Sequence, residues 1–307
     1  MKSKFLFVVF SSPFLIFSQS SWTRKADFPA SSRNNAVSFS IDKKGYYGLG
    51  QKQTDIFKYK IYTDFWEYNP EKNIWTQKSD FPADGRLGAK GFSVNRKVYT
   101  GFGYVISAYG PNAGGNDYQP DFYEFIPDSN KWFKKNNNYL ADRDICFVLN
   151  DTAWSVNADY KLLKKYIPSS DSWKEYEFGK RPSSPYYSEI IGSDADFTLN
   201  GKEYVITCTG RKKNRTNQLW EFNPHSLAWI LKNNLPPPAN DTLVCFSEQK
   251  NIFVLRGKNN LIEYNPENDL WNEKKETPLP NKYFTPVFSI EGKSYFFFQH
   301  EVWEYTP

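Results

Sequence analysis

The sequence predicts an all-β fold, a six-bladed propeller with four antiparallel strands per blade. Three observations carry this: an aromatic content suited to strands, six recurrences of one short pattern, and two chain ends that complete each other. The 307 residues include 10 Trp, 21 Tyr and 26 Phe, together 19% of the chain. That is far more than a helical protein needs, and aromatic side chains pack well on pleated surfaces. Length alone would suggest roughly two domains, but a propeller of this size is one unit, so the count has to come from repeats.

The repeat is marked by a proline followed five residues later by a tryptophan: Pro70 to Trp75, Pro127 to Trp132, Pro168 to Trp173, Pro224 to Trp229 and Pro266 to Trp271. A short aromatic strand precedes each proline. Examples are Phe65-Trp-Glu-Tyr-Asn-Pro70, Phe122-Tyr-Glu-Phe-Ile-Pro127, Leu219-Trp-Glu-Phe-Asn-Pro224, Leu261-Ile-Glu-Tyr-Asn-Pro266 and Val302-Trp-Glu-Tyr-Thr-Pro307. The third copy, Leu162 to Pro168, has Lys165 where the others have Glu67, Glu124, Glu221, Glu263 and Glu304. Alternation along a strand lets the large apolar residues be buried while Glu points elsewhere, and the proline then stops the ladder. A Trp strand follows each turn, and a loop leads to an apolar strand pair such as Ala36 to Ile41 with Gly45 to Gly50. Four strands per repeat result.

Trp22 opens a Trp strand with no aromatic-Pro strand before it, whereas Pro307 ends one with no Trp strand after it. Residues Trp22 to Lys25 are therefore expected to supply the fourth strand of the last blade. Closure removes exposed sheet edges. From Trp22 to Pro307 the chain has 286 residues, about 48 per blade.

The first twenty residues read as a separate segment. Lys2 and Lys4 precede an apolar run from Phe5 to Phe17, and Ser18-Gln19-Ser20 suits cleavage after Ser20, the pattern of an export signal. The run is too short for a ~30 Å hydrocarbon core. Residues 21–307 are expected to form a single exported propeller, periplasmic, cell-surface or secreted, with no membrane span. Without Lys2 and Lys4 it carries 37 basic and 34 acidic residues. That balance argues against a nucleic-acid partner. The basic runs at 161–165 and 211–215 read as solvated loops, and Cys146, Cys208 and Cys245 as buried thiols rather than a disulfide framework. The 2 histidines exclude His-rich metal sites and mechanisms needing several imidazoles. No cofactor or metal is expected.

The aromatic strand, its Tyr-Asn-Pro-like end, the fixed spacer and the Trp resemble the kelch repeat, across the whole of Trp22 to Pro307. The resemblance implies a four-stranded blade per repeat. The family's paired glycines are only partly kept, as Gly50, Gly101, Gly103, Gly210 and Gly257. The family also includes a copper galactose oxidase, but its chemistry needs two histidines and a Tyr-Cys pair together. His225 follows a turn proline and His300 lies in a loop on the opposite face.

On this reading the aromatic-Pro-to-Trp turns occupy one face and have constant length, while the other face carries long loops near 51–63, 104–120 and 211–216. Variable loops on a rigid scaffold are where binding usually lives. In the second loop, Tyr104, Tyr109, Tyr118, Asn112, Asn116 and Asp117 mix flat amphipathic rings with adaptable polar groups, suited to a sugar or a peptide. A candidate basic ring lies on the same face. Eleven residues after the repeat tryptophans stand Arg33, Arg86, Arg143 and Lys282, with Arg181 offered by the fourth blade. Guanidinium groups there would hold a carboxylate bidentately. The alternative is pairing with acids such as Asp27, Asp80, Asp84 and Asp142, tying blades together.

The first functional expectation is a non-catalytic binding module whose variable face takes a protein or glycan. The second follows from a further resemblance: an exported six-bladed kelch protein with a basic ring is similar to the bacterial N-acetylneuraminate epimerases, which interconvert sialic acid anomers. That resemblance implies a carboxylate grip and a general acid and base, for which Asp55, Asp117 and Glu189 are the loop candidates.

Overall fold

The computed structural model describes residues 21–56, 58–106, 116–138, 144–156, 162–177, 189–190, 196–209, 216–238, 243–248, 250–256, 260–274 and 285–306. These form strands, turns and loops, with no helix among the described residues. Strands are numbered in chain order. Blade 1 pairs β2 (Val37–Ile41), β3 (Lys44–Gly48), β6 (Phe65–Asn69) and β7 (Ile74–Lys78) in that spatial order. Blade 2 has β8 (Lys90–Val94), β9 (Lys97–Gly101), β12 (Phe122–Ile126) and β13 (Lys131–Lys134), and blade 3 has β14 (Ile145–Leu149), β15 (Thr152–Val156), β16 (Leu162–Ile167) and β17 (Ser172–Glu177). In blade 4, β18 (Glu189–Ile190) and β19 (Asp196–Leu199) share the inner place beside β20 (Lys202–Thr209), followed by β21 (Thr216–Asn223) and β22 (Ala228–Leu231). Blade 5 is β23 (Leu243–Glu248), β24 (Asn251–Arg256), β25 (Asn260–Asn265) and β26 (Leu270–Lys274).

Blade 6 joins β27 (Thr285–Ile290), β28 (Lys293–Phe298) and β29 (Glu301–Thr306) to β1 (Ser21–Arg24) from the other end of the chain. Trp22 stands opposite Tyr305, and Arg24 opposite Trp303. The closure expected from the unmatched ends is present. All six sheets are antiparallel throughout.

The core lies between blades. Each of six apolar clusters draws on two neighbouring sheets, for example Val37, Phe39 and Phe65 of blade 1 with Val98 and Phe125 of blade 2. Tyr47 and Tyr68 of blade 1 pack on Phe288, Tyr295 and Phe297 of blade 6. Aromatic content explains the packing: Phe28 meets Tyr47, Trp66 and Trp75 edge-on at 5.1, 5.7 and 5.2 Å, pairs worth about 0.5–1.5 kcal/mol each beyond their buried area.

In three of the repeats a two-bond latch is fitted to the Pro-to-Trp interval, while blade 4 keeps the interval with Leu227 at the latching position. The Trp75 indole N–H donates to Ala26 O at 3.2 Å, and Asn73 Oδ1 accepts the Ala26 N–H at 2.8 Å. Trp132 and Asn130 do the same at Ser79, and Trp271 and Asp269 at Asn233. The latching residue must lie two before the Trp and adopt a left-handed conformation, φ 52° at Asn73 and 54° at Asn130, which Asn and Asp tolerate best.

The repeated glutamates do not point away from the packed face. Glu67, Glu124, Glu221 and Glu304 are buried, because each satisfies a tyrosine and flanking lysines. Glu67 accepts from Tyr46 Oη and Lys44 Nζ at 2.7 and 2.9 Å, with Lys78 at 3.6 Å. In blade 6 the partners are Tyr295, Lys293 and, from beyond the closing strand, Lys25 at 3.3 Å. Burial alone would raise the Glu67 carboxyl, but these donors bring it below the ordinary range. Blade 3 replaces the whole set: Lys165 Nζ lies 5.4 Å from the Trp154 ring, and Tyr176 takes the outer position. Lys164 and Lys165 thus belong to β16 rather than to a solvated loop. Lys164 bonds Asn138 and pairs with Glu175. The run at 211–215 lies outside the described residues. Cys245 is buried in the core between blades 4 and 5, Cys146 is half-buried, and the Cys208 side chain lies outside the description.

Candidate functional site

The loop end of blades 1 and 2 is built on two equivalent clamps. After β3 the chain passes through Leu49 (φ 59°) and Gly50 (φ 80°), and after β9 and Gly101 through Phe102 (φ 55°) and Gly103 (φ 75°). A bulky residue in the left-handed region is a strained choice that its surroundings must enforce. A Cβ on Gly50 would come within 2.6 Å of Asn34 O, and one on Gly103 within 2.4 Å of Leu87 O. Glycine is therefore required where the turn meets the incoming chain.

Arg33 and Arg86 enforce these turns. Arg33 donates to Leu49 O and grips both oxygens of Asp64, with Nη2 to Oδ2 at 2.8 Å. Arg86 donates to Phe102 O at 3.3 Å and to Asp121 Oδ1 at 2.7 Å. The Arg33 side chain is fully buried and that of Arg86 is 1% exposed. Aromatic faces cover both guanidinium groups: Tyr62 lies 4.1 Å and Phe28 5.2 Å from Arg33 Cζ, and Phe81 lies 4.8 Å from Arg86 Cζ. Burial pushes the Asp64 carboxyl upward, but the Arg33 bonds and the Trp66 indole N–H at 2.7 Å outweigh it and leave it below the usual range. Asp121 is held low in the same way by Arg86 and Tyr123.

The carboxylates that the arginines grip are not those of Asp27, Asp80 or Asp84, although Arg86 Nε donates to Asp84 O at 3.1 Å, and Asp142 lies outside the described residues. Asp64 and Asp121 stand directly before the aromatic strand, within the arginine's own blade. A sequence signal existed, since Asp27-Phe-Pro-Ala30 and Asp80-Phe-Pro-Ala83 each precede the arginine by the same interval, and an Asp precedes Phe65 and Phe122 alike. In blade 5 the clamp is reversed: Arg256, at the end of β24, donates back to Pro236 O and Pro238 O. Arg143, Arg181 and Lys282 lie outside the described residues.

Each clamp carries an inserted hairpin. In blade 1, β4 (Gln51–Asp55) pairs with β5 (Lys58–Ile61), and in blade 2, β10 (Tyr104–Ile106) pairs with β11 (Asn116–Tyr118). The second hairpin brings Tyr104 and Tyr118 together as a cross-strand pair with ring centroids 5.7 Å apart. Asp117 is exposed opposite Val105. Asn116 pairs in register with Ile106, though its side chain is outside the description, as are Tyr109 and Asn112 altogether. Asp55 is exposed and accepts its neighbour's N–H. The Glu189 side chain is likewise not described. His225 and His300 both lie in exposed turns, His225 before β22 and His300 before β29.

No protein-family model matches the chain. The chain is 26% identical over 223 residues to the N-acetylneuraminate epimerases of Escherichia coli K12, Shigella sonnei and Shigella flexneri. The match covers 71% of this chain but 53% of the relatives, so it spans about half their length. Among solved structures, that of YjhT superposes with a TM-score of 0.63 at 14% identity, covering 91% of this chain and 95% of the other. That likeness speaks for the fold and agrees with a kelch-type arrangement. The chain is a six-bladed β-propeller with weak homology to the N-acetylneuraminate epimerases.

Proposed function

We propose that this propeller is an exported protein that binds an acidic sugar of the N-acetylneuraminate class at its loop end and speeds exchange between the sugar's anomers. The observation that carries the reading is the 26% identity over 71% of the chain with proteins named for that reaction. The six-bladed scaffold is compatible with it. Arg33 and Arg86 already hold Asp64 and Asp121, so their part is to fix the turns at the loop end, and the carboxylate grip falls to Arg143, Arg181 and Lys282. Anomer exchange opens the sugar ring by moving one proton off the anomeric hydroxyl and one onto the ring oxygen, a task for a general acid and base. Asp55 and Asp117, exposed on the blade 1 and blade 2 hairpins, are the described candidates.

The test is a titration of the purified chain with acidic and neutral sugars, following tryptophan fluorescence. Saturable binding of N-acetylneuraminate but not of neutral hexoses, weakened about tenfold or more by Arg143→Ala at unchanged Tm, is expected. Silence across the panel would favour the second reading, a non-catalytic module for a protein partner, which the two projecting hairpins support.

A further inference from the structure

We infer that the β4–β5 hairpin is a basic arm that binds an acidic oligosaccharide chain, extending the loop-end site beyond a single sugar. The inference rests on the acidic-sugar reading and names a longer form of that ligand. In the hairpin register Lys52 stands directly opposite Lys60, Gln53 opposite Tyr59, and Asp55 opposite Lys58. Opposite residues share a face, and residues two apart along a strand do too, so Lys52, Lys58 and Lys60 line one side.

All three are exposed, and none forms an ion pair among the described residues. Like charges directly across two strands repel. A sequence free to place either charge on an exposed hairpin has instead set three cations against one acid, Asp55, whose Oδ1 bonds the Ile56 N–H at 2.7 Å. The repulsion is relieved when an anion lies between them.

The arm is held in position. Its first residue is bridged to Asn34, with Asn34 N to Gln51 O at 2.7 Å and Gln51 N to Asn34 O at 2.9 Å, and Tyr62 N bonds Gly50 O at 3.0 Å. Arg33 fixes the turn beneath it. Ile61, on the other face, approaches Gly85 so closely that a Cβ there would lie 2.9 Å from Ile61 Cγ2. That face leans on blade 2, which turns the lysine side away from it. Lys60 Nζ lies 5.3 Å from the Tyr62 ring, whose centroid is 4.1 Å from Arg33 Cζ. The lysine row thus runs from the hairpin tip down to the Arg33 clamp. Lys58 and Lys60 are two positions apart along β5, about 7 Å, a spacing on the scale of successive charged units in an acidic sugar chain.

The test compares the chain with its Lys52→Gln/Lys58→Gln/Lys60→Gln variant by calorimetric titration with monomeric N-acetylneuraminate, its α-linked oligomers, neutral oligosaccharides of equal length, and vesicles containing anionic lipid. The oligomer is expected to bind at least about tenfold more tightly than the monomer, with the preference fading as salt shortens the Debye length below about 8 Å. The variant should lose that preference at unchanged Tm. Oligomer binding through the lysines without monomer binding would uphold the arm and sink the anomer-exchange reading. Equal affinity for monomer and oligomer would overturn the arm alone. A preference retained by the variant, or a lysine-dependent affinity seen only with vesicles, where exposed Ile56 at the tip would serve as an anchor, would also overturn it.

Discussion

Arg33 holds Asp64 with two hydrogen bonds while donating a third to Leu49 O, so one buried guanidinium fixes both the start of the aromatic strand and the strained turn that launches a hairpin. Arg86 repeats the arrangement with Asp121 and Phe102. Removing one partner of a buried pair leaves the other charge uncompensated. Arg33→Ala should therefore cost about 3–5 kcal/mol, and Arg33→Met with Asp64→Leu considerably less. Urea midpoints of the single and double variants check this. Equal losses would show that the stranded Asp64 carboxylate is not the source of the single variant's loss.

The latch between Asn73 and Ala26 closes the ring at the blade 6 to blade 1 seam. Asn73→Ala removes the one oxygen that accepts from both Ala26 N and Tyr68 Oη and forces alanine into a left-handed conformation, a loss of about 2–3 kcal/mol. Asn73→Gly should lose less, because glycine adopts that conformation freely. Thermal unfolding of the two variants separates the hydrogen-bond contribution from the backbone one.

Glu248 gives stability a pH dependence. Burial raises its carboxyl to about 7, only partly offset by hydrogen bonds from Ser294 and Ser289. A carboxyl raised in the folded state contributes stability that is fully present below its unfolded value and lost as pH rises through about 7. The protein should lose up to about 3 kcal/mol from this group between roughly pH 4.5 and 8. Glu248→Gln should flatten that slope. An unchanged slope would remove Glu248 as its source.

Blade 3 offers a reversal. Lys165→Glu restores the residue that the other blades share, yet it should destabilise by about 1–3 kcal/mol, because Trp154 and Tyr176 stand where the acid needs a tyrosine and a lysine. Adding Trp154→Tyr and Tyr176→Lys should recover most of the loss. Denaturation midpoints for the single and triple variants decide it.

Blade number and ring closure were legible because they depend on periodic features, the Pro-to-Trp interval and the unmatched strands at Trp22 and Pro307. Where the latch is present it ties the interval to a contact: Asn73 and Trp75 must reach the N–H and C=O of the same residue, Ala26, in the preceding blade. Alternation fixes which residues share a face, not whether that face is packed, and so it misplaces the glutamates. Both faces of a blade are packed, so burial of Glu67 depends on Tyr46, which lies on another strand. The arginines were legible as a ring, but their partners were not. Asp64 lies 31 residues from Arg33, and only the sheet register brings it there.

The central claim is that an acidic sugar changes anomer on this propeller. Two-dimensional exchange NMR of N-acetylneuraminate, with the purified chain at catalytic amounts, measures that directly. The account predicts cross-peaks between the α and β anomers growing in proportion to protein concentration and lost with Arg143→Ala. Exchange no faster than in buffer, under conditions where the sugar binds saturably, would contradict it and leave a binding protein.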